Sequence, residues 1–168
     1  MNSGLLIARA VLGLMMAAHG SQKLFGWFGG HGLAGTAGFF EALGFRPGKL
    51  FAVLASATEL GSGVAVGLGL LGPLGPAAML AVMIVGAGSV HWQHGLFAMS
   101  NGIEVPLLYA TGAVALALTG PGAYSLDRLL NLTAVWTPAV RVGVLALGVA
   151  GGAINLMLRR STAAASAA

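Results

Sequence analysis

Residues 50–71 read LFAVLASATELGSGVAVGLGLL, residues 72–76 read GPLGP, and residues 77–90 read AAMLAVMIVGAGSV. A bilayer core asks for about 20 apolar residues in a helix. The first stretch supplies them with a single charged residue, Glu59. Two prolines and two glycines within 72–76 stop a helix and turn the chain. These residues therefore predict two antiparallel spans joined by a tight hairpin. Working outward, apolar runs of similar character mark a first span from about Gly4 to Gly20, continuing toward Phe28. A fourth runs from about Val105 to Leu118, stopped by Thr119-Gly120-Pro121-Gly122. A fifth runs from about Pro138 to Leu158 and ends at Arg159-Arg160.

Composition agrees. Of 168 residues, 57% are apolar and only 7% are charged, against about 25% charged in a soluble domain. So few charges could not clothe a globule in water. Glycine is abundant, 28 residues, without a collagen period, as in membrane helices whose backbones approach closely. The net charge of +4 comes from scattered basic residues with no cluster, which argues against a nucleic-acid partner. No cysteine is present, which excludes disulfides, thiol chemistry and covalently attached haem. The N-terminal stretch lacks a basic n-region and an A-x-A site, so the first helix is expected to be retained.

The fold class is thus all-α: a polytopic transmembrane four-helix bundle plus an additional C-terminal transmembrane helix. Residues 1–132 form the bundle, with an interfacial or re-entrant segment at 29–46. Residues 133–160 form the extra helix, and 161–168 a disordered tail. Ser125 is placed to cap a short amphipathic helix over 125–132. The Gly63/Gly67 pair suits close helix contact, and Gly143, Gly148, Gly151 and Gly152 in the fifth span suit docking of another subunit. Lys23, Arg46, Lys49, Arg159 and Arg160 lie on one side and Arg128 and Arg141 on the other, so the first side is expected to be cytoplasmic.

Ionisable groups within spans cost free energy and need a reason. If the first two spans end flush, Arg9 lies roughly 22 Å and Glu59 roughly 18 Å from the same side at 1.5 Å per residue. An Arg9–Glu59 ion pair follows, either as a lock between helices or as a polar floor for a ligand. His19, Lys23, Glu41, His91, His94 and Glu104 gather at one end of the bundle and are the candidate ligand-binding residues. His91 and His94, three apart, would share a helical face. A metal site lacks a third fixed ligand, and a haem between His19 and His91 is singled out by nothing. A quinone or similar ligand held by His and Glu between Trp27, Trp92 and Phe97 suits a cleft there. The plain alternative is that His and Trp rings sit at headgroup level.

These residues also carry a resemblance. Arg9-Ala10-Val11-Leu12-Gly13, His19-Gly20-Ser21-Gln22-Lys23-Leu24-Phe25-Gly26, Phe40-Glu41-Ala42-Leu43-Gly44, Glu59-Leu60-Gly61-Ser62-Gly63 and the run Val90–Phe97, with Leu118–Asp127, resemble DoxX-family membrane proteins over about residues 4–130. The resemblance implies a compact four-helix bundle, which the fifth span exceeds. It also implies recurrent polar positions at Arg9, His19, Lys23, Glu41, Glu59 and His91. Members of that family include a membrane subunit of a thiosulfate:quinone oxidoreductase and membrane partners of other redox proteins. The function it implies is a multi-pass subunit or accessory protein of a redox complex in the bacterial inner membrane, with lipid and other subunits as partners. No covalent cofactor and no metal are expected; the candidate ligand of the pocket is a quinone or a lipid. A small-molecule permease with Arg9 and Glu59 along a polar path, or an assembly factor without ligand, are the alternatives.

Overall fold

A computed structural model of the chain describes residues 2–160; the expected tail at 161–168 lies outside the described residues. The α-helices are α1 (Asn2–Phe25), α2 (Gly32–Ala42), α3 (Gly48–Leu68), α4 (Leu74–Gly86), α5 (Glu104–Thr119), α6 (Leu126–Leu129) and α7 (Pro138–Met157). No strand occurs among the described residues, and the fold is an all-α polytopic membrane bundle. α1, α3, α7 and the extended α4, which runs on to His94, are long and apolar enough to cross a membrane. α5, with 16 residues, rises only about 24 Å.

The punctuation lies where the sequence puts it. α3 ends on Gly69 in the left-handed conformation (φ 64°), which suits a residue without a Cβ. α4 begins straight after Pro73, whose carbonyl accepts from Ala77 N at 2.9 Å. α2 is the short helix expected between the first two spans. Ser125 Oγ accepts from Arg128 N and caps α6, and Thr137 caps α7 in the same way ahead of Pro138.

Glycine sets how closely the helices pack. A Cβ on Gly13 would sit 2.5 Å from Gly67 N and 2.6 Å from Gly63 O, and one on Gly20 would overlap the Leu60 and Ser56 backbone. α1 and α3 therefore meet backbone to backbone, as the Gly63/Gly67 spacing predicts. Gly20→Val is expected to push the pair apart and lower stability by about 1–3 kcal/mol. Gly61→Val, with nothing within 4 Å, is expected to change little; thermal unfolding in detergent compares the two.

The same device places α7. Gly148 and Gly152 lie against the Ala77 and Ala81 carbonyls of α4, whereas Gly143 and Gly151 have nothing within 4 Å. Half of the supposed docking stripe is thus used inside the chain. At its far end α7 is tied to the corner between α2 and α3: Arg159 Nε donates to Leu43 O at 2.5 Å and Arg160 N to Gly44 O at 2.9 Å. Two apolar cores result. One joins Met16, Val66, Met79, Leu80, Tyr109 and Leu116. The other stacks Phe40, Phe45 and Phe51 at the α2–α3 corner, with ring centroids 5.2–5.5 Å apart.

Candidate functional site

The register fixed by these glycines decides which charges meet. Gly13 lies beside Gly63 and Gly67, and Gly20 beside Ser56 and Leu60, so Glu59 is level with His19 and Gly20, and Arg9 is level with Gly69. Arg9 and Glu59 are then about ten residues apart in depth, roughly 15 Å. The expected Arg9–Glu59 pair does not form. The flush-end assumption fails because α1 stops short of the start of α3, where α2 and its phenylalanines fill the space. Glu59 pairs instead with Lys23. Arg9, 2% exposed, packs its guanidinium against Gly69 and donates to the Tyr124 carbonyl. Asp127 is the acid whose charge reaches it.

Asp127 is itself fully buried. It accepts from Leu71 N at 2.8 Å, Gly72 N at 2.6 Å and Trp136 Nε1 at 2.8 Å. Trp136 lies over Gly72 and braces the α3–α4 hairpin. This end of the molecule is a polar clamp that the sequence did not reveal.

At the opposite end the helices enclose a cavity of about 620 Å³. Its walls are mostly apolar, from α1, α2, α3, α4, α5 and α7, with Phe39, Phe40, Leu54 and Val85 among them. Its polar groups are His19 and Lys23 of α1, Thr58 and Glu59 of α3, Ser89, His91 and Asn101 between α4 and α5, and Tyr109 of α5. Asn155 of α7 also reaches the cavity, so the additional helix forms part of its wall. The Glu59 side chain is 5% exposed and Lys23 36%. One Glu59 oxygen meets the Lys23 ammonium; Oε2 is buried with no partner. The His19 ring stands edge-on to Tyr109 at 6.2 Å between centroids.

Backbone winding aims two of these groups. α4 is α-helical to Gly86, then opens to a π turn over Ala87–His91 and tightens to a 3₁₀ turn over Trp92–His94. Such turns recur at functional sites because they re-aim side chains. Here the π turn carries Ser89, Val90 and His91 onto the cavity wall. His91 Nδ1 lies 2.7 Å from the Asn101 carbonyl, which can only accept, so Nδ1 carries the proton.

The cavity thus brings together His19, Lys23, Glu59 and His91 and leaves out Glu41, His94 and Glu104. Glu41 accepts from Gly48 N at 3.2 Å at the start of α3, where a carboxylate suits the helix dipole. Glu104 accepts from Ala98 N at 2.8 Å and closes the loop before α5. His94 is exposed at the end of the 3₁₀ turn. Trp27, Trp92 and Phe97, taken as walls of the cleft, are exposed and lie outside it. Thr58, Ser89, Asn101, Tyr109 and Asn155 are the polar lining residues that sequence reasoning missed. Among the described residues no group of three or more His, Asp or Glu side chains could hold one metal ion. Arg9 lies outside the cavity, so a polar path lined by Arg9 and Glu59 together is not formed.

The comparisons with known proteins agree with this architecture. The DoxX family model matches residues 4–92. Inner membrane protein YqjF of Escherichia coli (strain K12) is 32% identical over 133 residues, which is 76% of this chain and 92% of YqjF. No solved structure matches the chain.

Proposed function

From the premise that the chain belongs to the DoxX family and is a multi-pass inner-membrane protein, we propose that it is a membrane subunit or accessory protein of a redox complex and holds a quinone in its cavity. The observation that carries this reading is the cavity itself. Its volume of about 620 Å³ falls within the range of about 300–1,000 Å³ typical of small-molecule sites. Apolar walls suit the ring and the first part of an isoprenoid tail, and the Glu59–Lys23 pair, Tyr109 and His91 supply directed polar contacts at depth. Ionisable groups kept inside a membrane bundle mark such sites more often than they decorate lipid-facing surfaces.

Five basic residues, Lys23, Arg46, Lys49, Arg159 and Arg160, lie toward the cavity end, against Arg9, Arg128 and Arg141 toward the clamp end. Positive-inside counting puts the cavity end at the cytoplasmic face, where a soluble redox partner would reach it.

Purification from native membranes in mild detergent tests the reading. The extract is expected to contain quinone at close to one per chain, together with a cofactor-bearing protein partner. Quinone at no more than the bulk-lipid ratio found with an unrelated membrane protein would overturn the pocket. Isolation as a lone chain would overturn the subunit role.

A further inference from the structure

Among the polar groups that line the cavity, Glu59 stands out as an acceptor left short of a donor. Glu59 is held beside the Lys23 ammonium and is therefore an ionised carboxylate, which can only accept. Its Oε2 is buried and unpartnered, and a buried acceptor left unmet is costly. His91 has its proton on Nδ1, directed at the Asn101 carbonyl 2.7 Å away. In the neutral tautomer with that proton, the ring presents a bare lone pair at Nε2. Ser89 Oγ donates to Val85 O at 2.6 Å, so only its lone pairs remain. Lys23 gives one of its three N–H groups to Glu59, and His19, Thr58, Asn101, Tyr109 and Asn155 on the lining serve either role.

We propose that the head group held in this cavity donates hydroxyl protons to Glu59 and to His91, so that the site takes the reduced, hydroquinone form of its carrier in preference to the quinone. This rests on the pocket reading above and narrows it to one redox form. A quinone presents only carbonyl oxygens, which would face the carboxylate without a hydrogen between them. A hydroquinone presents an O–H at each end of the ring. Sites built to hydrogen-bond a hydroxyl reject analogues lacking it by large factors.

The test is calorimetric titration of the full chain in detergent under argon. The probes are a 1,4-benzohydroquinone bearing one isoprenoid unit, its oxidised quinone, and its dimethyl ether. The wild type is expected to bind the hydroquinone at least about tenfold more tightly than the other two. Glu59→Gln, whose amide can donate to a carbonyl, is expected to narrow or reverse that preference. Should Glu59→Gln fail to fold, His91→Leu, which leaves the ion pair intact, is expected to weaken hydroquinone binding and leave quinone binding unchanged. Equal affinity of wild type for both redox forms, or a preference unmoved in the folded variants, overturns the proposal while leaving the pocket in place. Binding of neither form overturns both.

Discussion

Asp127→Ala is expected to lower the stability of the detergent-solubilised chain by about 3–5 kcal/mol, the scale of stranding several buried donors at once. The carboxylate is fully buried and receives three hydrogen bonds, from Leu71 N, Gly72 N and Trp136 Nε1. Its removal strands three donors at about 1–3 kcal/mol each when left unmet, with losses that do not simply add. It also takes from the buried Arg9 the acid whose charge reaches it. Asp127→Asn keeps the shape and one acceptor oxygen, so its loss is expected to be smaller, and the difference between the two variants reports the shape and the acceptor that the amide retains. Thermal unfolding monitored by size-exclusion chromatography gives the comparison; an unshifted midpoint for Asp127→Ala would show that the clamp is dispensable.

Lys23→Met is expected to cost a similar amount, again about 3–5 kcal/mol, for a different reason. Glu59 would keep its buried position and lose the one cation that meets it, leaving both oxygens without partners. Lys23→Met combined with Glu59→Met removes both charges at similar volume, and most of the stability is expected to return, as buried ion pairs replaced by apolar groups often show. Binding of the proposed hydroquinone is expected to be lost in the double variant, because the acceptor is gone. A double variant no more stable than Lys23→Met alone would mean that the lysine matters through its hydrocarbon stem rather than its charge.

Much of the fold could be read from residues acting locally. Pro73 and Gly72 mark the hairpin, Ser125 its helix cap, and Gly63/Gly67 the close approach of α1 and α3, because each of these effects spans only a turn or two. The ion pairing was not legible. Assigning Arg9 to Glu59 required the relative sliding of α1 and α3, which is set by Gly13 and Gly20 packing on another helix and by α2 filling the space below α1. His94 failed for a related reason: beyond Gly86 the winding is π and then 3₁₀, so face assignments made at 3.6 residues per turn no longer apply. Tyr109, Ser89 and Asn155 are lone polar residues in apolar helices, and only tertiary packing tells which of them turn inward. Glu41 and Glu104 carried a different ambiguity, since a carboxylate next to a helix start reads equally well as a ligand contact or as a backbone cap.

The helix pinned by Arg159 and Arg160 to the α2–α3 corner follows every other cavity-lining helix in the chain. It reaches the cavity only by docking Gly148 and Gly152 on Ala77 and Ala81. The chamber is therefore complete only once Gly151, Gly152 and Asn155 of that helix have taken their place in its wall.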